Sequence, residues 1–372
     1  MPLVEPRVNP TMAAARPDHL RFQTLAAQRA TALPARSLHD EWDALADRLG
    51  APPFLRPGWI EAWCGAYTAS PVTVLQIRRY GELAGVLPLL PRHRTHTGPT
   101  NSHTPLFGLL AADPAAAGEL AERFVDEVGG ALALKPIDPS DQATAAFEDA
   151  LRRRGQLTLS ETVARAPYVP IEGDFDDYQK GLSKNLRKQV ARRRRRLEEA
   201  GHVSIEVQTS AGGLSSALED FVALESSGWK QQSGTAVASR GANRTFYSEL
   251  AAWAASRGSL RLSFLALDGR PIAAEFALEE NGVRYALKSG FDPGFRTFGP
   301  GQLLTHESLA RSFEARLRSY EFLGSDDGYK LDWTSATRER IRLRSFPPTL
   351  RGRVGLVARR RVRPLWLRLR RA

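Results

Sequence analysis

Hydrophobic residues recur along the chain with two periods, which predict alternating helices and strands. Spacings of three and four residues predict helices at 37–49, 59–67, 115–129, 142–154, 183–200, 214–230, 243–258 and 301–318. Runs rich in Val, Leu, Ile and Phe predict strands at 72–79, 82–90, 131–137, 156–164, 202–209, 259–269, 270–282, 283–291 and 318–324. This interleaving of the two periods predicts an α/β fold with mixed sheets.

The helix at 183–200 has the clearest periodicity. Leu182, Leu186, Val190 and Leu197 are spaced four, four and seven residues apart, so they form one apolar stripe. Gly201 is suited to the carboxyl end of the helix. We therefore expect this helix to pack against the protein along one face, with its run of five arginines largely in solvent.

A chain of 372 residues exceeds the usual size of a single compact core, which predicts two domains. The element pattern places them at 35–166 and 167–348, and both share a loose helix–strand–strand–helix–strand order. Residues 1–34 lack the continuous apolar stretch of a signal peptide and are expected to be disordered. Residues 349–372 form a basic tail.

The net charge of +11 is concentrated in two segments. Residues 351–372 carry nine arginines and no acid, residues 183–200 sum to +6, and the rest of the chain sums to −4. The basic character is therefore local rather than a property of the whole surface. A single cysteine, Cys64, excludes an intrachain disulfide and favours a reducing, cytoplasmic location.

Each basic segment has more than one interpretation. The arginines of 183–200 surround the helix without interleaved aromatic residues, so a solvated connector helix is favoured over nucleic-acid binding. The tail alternates arginine with Val, Leu and Trp366, which suits peripheral contact with an anionic membrane. The alternative is a disordered basic end.

A glycine-proline-glycine turn begins the helix at 301–318. A helix N-terminus presents unpaired N–H groups and a partial positive charge, which suit a phosphate, and glycine lets the backbone approach closely. Strand, Gly299-Pro300-Gly301 and helix together have the layout of a diphosphate site. On spacing alone, plain loop punctuation is the favoured explanation of the same turn.

Four longer motifs occur in a fixed order: SGWKQQSGTAV (227–237), DGRPIAAEFAL (268–278), YALKSGFDPGFRTFGPGQLL (285–304) and GSDDGYKLDWT (324–334). Together they resemble the CelD-type acyltransferases, a branch of the GNAT superfamily. The resemblance covers about 35–345 and is strongest at 175–340. It implies two tandem GNAT-like folds, related in architecture to the Fem-type aminoacyltransferases.

The resemblance also implies an acyl-CoA donor and an amine or hydroxyl acceptor, such as an envelope or exopolysaccharide precursor. The strand at 283–291 would pair with the pantetheine arm, and the strand at 318–324 would form the other side of the gap. The implied diphosphate cradle consists of Gly299, Pro300, Gly301, Gln302 and Leu303.

Acyl transfer requires a base, an oxyanion donor and an acid for the leaving thiolate. Glu275 lies in an apolar strand, where an unpaired charge is costly, and is a candidate base. Asp326 follows a strand and is the second candidate, and Tyr285 is a candidate acid. The structural alternatives are an ion pair between Glu275 and Lys288, a capped turn at Asp326, and a core position for Tyr285.

Further residues are assigned to ligand binding. Lys288, in an apolar strand, is expected to contact the cofactor. Trp229, Lys230 and Lys330 match the family motifs and are candidate substrate-binding residues.

Histidines at positions 93, 96 and 103 fit no familiar metal-ligand spacing, so no metal is expected. Two rival functions remain open. One is an aminoacyl-tRNA-dependent transferase like the Fem-type proteins, and the other is a non-catalytic accessory protein of polysaccharide biosynthesis.

Overall fold

A computed structural model describes residues 36–227 and 241–362. The candidate residues Trp229 and Lys230, the segment 1–34 and the last ten residues lie outside these ranges. Among the described residues, no helix combines the length and apolar character needed to cross a bilayer.

The described helices alternate with strands as the sequence pattern predicts. The helices are α1 (Arg36–Arg48), α2 (Pro57–Tyr67), α3 (Pro114–Arg123), α4 (Gln142–Arg153), α5 (Phe175–Gly181), α6 (Lys184–Ala200), α7 (Leu214–Ser226), α8 (Gly241–Ser256), α9 (Pro300–Glu314), α10 (Gly328–Leu331) and α11 (Leu350–Val357). The 3-10 turns Pro53–Leu55 and Pro293–Phe298 precede α2 and α9.

Within the described residues, twelve strands from both halves of the chain form one mixed sheet. They are β1 (Thr73–Arg79), β2 (Glu82–Arg92), β3 (Thr95–Thr97), β4 (Leu110–Ala111), β5 (Ala131–Ile137), β6 (Leu157–Pro170), β7 (Val203–Gln208), β8 (Leu260–Leu267), β9 (Arg270–Glu280), β10 (Val283–Phe291), β11 (Ser319–Glu321) and β12 (Thr337–Phe346). Their order is β1-β2-β3-β5-β12-β6-β11-β10-β9-β8-β7, and β4 pairs with β2. The mixed α/β fold is therefore confirmed.

Strand β12 occupies an unexpected place. The sequence pattern did not identify it, yet it pairs antiparallel with both β5 and β6 along most of its length. Its sequence, TRERIRLRSF, alternates arginine with other residues, and Ile341 and Leu343 are buried. That alternation is the signal of a half-buried strand. The last strand of the chain is thus the central link between the two halves.

The basic helix α6 packs as its stripe predicts. Leu186, Val190 and Leu197 are buried, and they join a core that includes residues of α9 and of the sheet. Ser183 caps the helix, its hydroxyl accepting from the Leu186 N–H. The arginine run begins on the solvent side of this stripe, with Arg193 only partly exposed.

A second core joins the two halves on the opposite side. Trp42, Trp59 and Trp63 are each about 1% exposed or less, and they share one cluster with residues of α7 and α8. The contact between α2 and α8 is close: a Cβ at Gly58 would lie 1.9 Å from the Trp253 Nε1. Substantial apolar burial between the halves favours one rigid body over two mobile domains.

Strands β10 and β11 are parallel and separate after a short paired segment. Val283, Arg284 and Tyr285 pair with residues 319–321. The register of β10 with β9 then shifts between Ala286 and Lys288, which places a bulge at Leu287. A bulge bends its strand and increases the local twist. Beyond this point β10 remains paired with β9 through Phe291 but no longer pairs with β11, so a gap opens on the β11 side.

Candidate active site

A cavity of about 640 Å³ lies where β10 and β11 separate. Its size is typical of small-molecule sites. Residues from both halves form its wall: 101–105, Lys135, Pro136, Val163, Ala164, Tyr247, Glu275, 286–289, Thr305, Tyr320, 322–325, Asp327, Tyr329, Lys330, Arg340 and Arg342. Three predicted site residues, Glu275, Lys288 and Lys330, therefore meet at one cavity.

Glu275 is buried, and both of its carboxylate oxygens accept hydrogen bonds. Its Oε1 accepts from the Ser308 hydroxyl at 3.0 Å and from Arg284 Nη2 at 3.3 Å. Its Oε2 accepts from the Tyr320 hydroxyl at 2.5 Å. The ion-pair partner is Arg284 and not Lys288, because the bulge separates Lys288 from Glu275. The carboxylate is held rigidly at the rear of the cavity.

Lys288 faces a different acid. Its Nζ lies 3.9 Å from Glu225 Oε1, and the Glu225 side chain is fully buried. Burial lowers the pKa of Lys288, and the nearby Glu225 carboxylate partly opposes that effect. The Lys288 ammonium therefore loses its proton more readily than the ammonium of a surface lysine. Lys288 also lines the cavity, where a substrate can reach it.

Lys330 has a structural role that is visible in its contacts. It is 6% exposed, and its Nζ donates to the carbonyls of Leu323 at 3.0 Å and Ser325 at 2.9 Å. It also forms an ion pair with Asp327 at 3.0 Å. These bonds hold the loop after β11 against the cavity. Asp326 is exposed and is absent from the wall, whereas Asp327 is part of it.

Tyr285 lies elsewhere. It is in the segment of β10 that pairs with β11. Its ring packs edge-on against the Phe54 ring, with 5.1 Å between the ring centroids. It lines a different cavity, between the first half and strands β10 and β11. Burial raises the pKa of its hydroxyl well above the usual value. The structure therefore does not bring Tyr285 together with Glu275, Lys288 and Lys330.

A histidine that was considered only as a metal ligand lies at the cavity. His103 is 9% exposed, and its Nδ1 is 3.3 Å from the Tyr247 hydroxyl. Its ring stacks on Tyr67, whose hydroxyl donates to Asn243 Oδ1 at 3.0 Å. Burial raises the pKa of Tyr247 well above the usual value. His103 and Tyr247 are 144 residues apart, so no local sequence signal reports their contact.

The predicted cradle lies at the start of α9. Gly299 has a φ of +59°, in the left-handed region, and its carbonyl accepts from the N–H groups of Gln302 and Leu303. Among the described backbone groups, no carbonyl accepts from the Gly301 N–H. Thr305, one turn further, reaches the cavity wall. The cradle therefore adjoins the cavity and offers one free amide.

An arginine from α6 lies directly over this turn. Arg193 donates through Nη1 to Gln302 Oε1. A Cβ at Gly299 would lie 2.8 Å from both Cδ and Nη1 of Arg193, so glycine makes room for the guanidinium. The sequence pattern placed no arginine in the cradle loop. In the folded protein, Arg193 of the basic helix α6 lies beside this loop.

The described residues contain no group of three or more His, Cys, Asp or Glu side chains that could hold a metal ion.

Comparisons with known proteins agree with this architecture. Residues 184–331 match the model of the Acetyltransferase (GNAT) domain family. By sequence, the chain matches no curated protein. The match to the family model includes the cradle, Glu275, Lys288 and Lys330.

Solved structures share the fold over both halves. FemX superposes with a TM-score of 0.60 at 13% identity, over 83% of this chain and 96% of that one. L-PGS from Bacillus licheniformis gives 0.55 at 10% identity, over 86% and 96%. The C-terminal domain of a putative lysylphosphatidylglycerol synthetase from Agrobacterium fabrum gives 0.53 at 10%, over 86% and 93%. The predicted GNAT-type fold is confirmed, and FemX shares it; the finer CelD-type assignment stays a prediction.

Proposed function

We propose that this protein is an acyltransferase whose acyl thioester donor lies in the gap between β10 and β11. The observation that carries the proposal is the gap itself, which begins at the Leu287 bulge and leads into the 640 Å³ cavity. Where β10 leaves its parallel neighbour, its backbone groups are available to pair with the amides of a pantetheine arm. A closed sheet would leave no such path.

The donor diphosphate is assigned to the start of α9. Two features support this assignment: the Gly301 N–H, which no backbone carbonyl accepts, and the guanidinium of Arg193 above Gly299. A guanidinium and a helix N-terminus are both suited to phosphate oxygens. The acyl group would then extend from this turn past Thr305 into the cavity.

The acceptor is assigned to the opposite side of the gap, beside His103 and Lys288. In the reaction, the acceptor nitrogen attacks the thioester carbonyl carbon, the carbon–sulfur bond breaks, and the thiolate takes up a proton. An imidazole is neutral near pH 7 and suits proton removal from an ammonium or amine acceptor. Glu275 already accepts from three donors, so we assign it to holding Tyr320 and Arg284 in place. The acceptor class remains the proposed glycan or envelope precursor.

The test is isothermal titration of the full chain with CoA and acetyl-CoA. Replacing Arg193 with Gln should weaken CoA binding about tenfold or more, since a hydrogen bond to a charged group contributes about 1.5–3 kcal/mol. The matched control is Arg195→Gln on the same helix, because Arg195 is 74% exposed and pairs only with Glu199 at 3.4 Å among the described ion pairs. CoA should bind this control as it binds the parent protein. Equal CoA affinity in Arg193→Gln and parent, or no CoA binding at millimolar concentration, would refute the donor assignment.

An aminoacyl-tRNA donor is the second candidate, and one observation favours it. Arg192, Arg195 and Arg196 are exposed along α6 beside the cradle, where they could contact a nucleic-acid backbone. This candidate requires aminoacyl-tRNA binding that weakens steeply with salt and transfer that is sensitive to ribonuclease. Transfer from acetyl-CoA with no tRNA present would exclude it.

A further inference from the structure

A second cavity, of about 480 Å³, lies between the first half of the chain and strands β10, β11 and β12. Of its described lining residues, Arg340 alone is shared with the cavity at the strand gap. The volume falls in the range of sites for small organic ligands. The proposed acyl transfer makes no use of this cavity.

A buried carboxylate on the wall has one oxygen without a donor. Glu321 is 3% exposed. Its Oε1 accepts from the Ser319 hydroxyl at 2.9 Å and from Arg338 Nε at 3.0 Å. Its Oε2 has no partner among the described residues. Because a buried polar atom without a hydrogen-bond partner is costly, a ligand that donates to Oε2 would gain from this site.

A buried guanidinium on the same wall has a free donor. Arg340 is 4% exposed, and its Nη1 donates to Asp138 Oδ2 at 2.9 Å. Its Nε has no acceptor among the described residues. The wall thus offers one acceptor suited to a cation and one donor suited to an anion.

The remainder of the wall is mixed: an apolar part lies beside polar and charged residues such as Asp141, Arg318 and Arg338. Leu55, Leu106, Leu109, Ile137 and Val283 line the cavity. A ligand that matches all three features carries an ammonium, an anionic group and an apolar side chain. A free apolar α-amino acid has this combination.

We propose that the second cavity binds an apolar α-amino acid, with its ammonium donating to Glu321 Oε2 and its carboxylate accepting from Arg340 Nε. The site is distinct from the proposed acyl-transfer site, because the described lining residues of the two cavities have only Arg340 in common. Occupancy would satisfy two buried groups and would fill space between the two halves of the chain.

The test uses L-leucine and two matched probes, titrated into the full chain by isothermal calorimetry at pH 7. The probe 4-methylpentanoate lacks the ammonium, and 3-methylbutylamine lacks the carboxylate. Saturable binding of L-leucine, at least tenfold tighter than either probe, is expected. Absence of saturable L-leucine binding at 20 mM would overturn the proposal, and so would equal affinity for either probe.

Two variants locate the binding. Glu321→Gln should weaken L-leucine binding at least tenfold, because the ammonium loses its charged partner. Ala143→Phe adds a ring from the α4 side of the wall and should abolish binding. Circular dichroism establishes which variants fold. One folded variant is sufficient to decide whether L-leucine binds in this cavity. L-leucine binding that is unchanged in a folded variant would show that the amino acid binds elsewhere, which overturns the assignment.

A separate observation concerns α11. Leu350, Val354 and Val357 are 80%, 61% and 51% exposed, and their spacing places them on one face of the helix. At 100° per residue, Arg351 and Arg353 flank this face on either side. The opposite side meets the protein: a Cβ at Gly352 would lie 1.9 Å from the Pro347 carbonyl oxygen. The glycine side of α11 therefore packs against the protein. The opposite side exposes an apolar stripe that has an arginine on each flank.

We infer that this face lies on an anionic membrane surface. The apolar stripe suits the acyl boundary and the flanking arginines suit anionic head groups. The sequence 351–372, which includes this helix, contains nine arginines and no acid, and this charge is complementary to anionic lipids.

Sedimentation with vesicles tests this inference on the full chain. Vesicles with 30% phosphatidylglycerol should bind the protein, more weakly at high salt, and pure phosphatidylcholine vesicles should not. The double variant Leu350→Asp/Val354→Asp should lose most of the binding, whereas Tyr80→Asp, at a fully exposed turn, should retain it. The inference is overturned if the parent protein stays in the supernatant with anionic vesicles, or if the double variant sediments equally.

Discussion

Replacing Arg284 with Met tests how the rear of the active-site cavity is stabilised. Arg284 is 3% exposed and donates through Nη2 to both Glu275 Oε1 and the Ser263 hydroxyl. Removing one member of a buried ion pair costs about 3–5 kcal/mol, because the remaining charge stays buried without its partner. Glu275 retains the hydroxyl donors of Ser308 and Tyr320, so we expect a loss near the lower limit, about 3 kcal/mol.

Urea unfolding at pH 7, followed by circular dichroism, measures this loss. With a slope of about 3 kcal/mol per molar urea, the midpoint should fall by about 1 M. The control is Arg261→Met, because Arg261 pairs with Glu279 at 3.0 Å while 25% exposed. Partly exposed pairs contribute about 0–1 kcal/mol, so this control should lose little.

A double-mutant cycle separates charge from packing. Adding Glu275→Gln to Arg284→Met removes the unpaired charge and keeps an acceptor for Tyr320. The double variant should therefore be about 2 kcal/mol more stable than Arg284→Met alone. A double variant no more stable than the single one would refute the assignment of the cost to the buried charge.

Three further predictions concern packing, loop order and pH. Gly290→Ala should lower stability by about 2–3 kcal/mol, because its Cβ would lie 2.3 Å from the Glu225 Cα; Gly212→Ala, with nothing within 4 Å, should not, and equal urea midpoints would contradict this. Lys330→Met should raise amide exchange in 323–327 about tenfold or more, since bonds from a charged donor are lost; unchanged exchange would show that the loop is held by other contacts. Burial lowers the pKa of His96 below its unfolded value, so stability should fall as the pH drops through about 6.5; His96→Gln should flatten this dependence in urea unfolding between pH 7 and 5, and an equal slope would contradict it.

The sequence predicted those elements whose signal is local. The stripe of Leu186, Val190 and Leu197 determined the packed face of α6, and it is buried as expected. The apolar strand around Glu275 indicated a carboxylate that is either paired or lining a cavity, and the structure buries it beside Arg284 on a cavity wall. Both predictions depend on neighbours within a few residues, where periodicity carries the information.

Features that depend on register could not be read in the same way. The bulge at Leu287 shifts the pairing of β10 with β9, so Lys288 lies opposite Phe276 instead of Glu275 and is near Glu225. A shift of one residue exchanges the two faces of a strand, and no composition signal reports it.

Contacts between distant segments were also beyond the sequence pattern. His103 meets Tyr247 and Arg193 meets Gln302 because the folded chain brings separate elements together. The sequence around each of these residues gives no signal of its distant contact. The active-site cavity is assembled from such contacts, so its polar wall could be only partly predicted.

The position of β12 has a consequence for synthesis of the protein on the ribosome. The sheet of the first half is interrupted between β5 and β6 until residues 337–346 emerge. At a translation rate of about 5–20 residues per second, β6 remains unpaired with β12 for roughly 10–30 s after β6 has been synthesised. During that interval both edges are open to pairing with other nascent chains. A chaperone that shields β5 and β6 should therefore raise the yield of native protein, and a stop codon before position 337 should leave even the first half aggregation-prone.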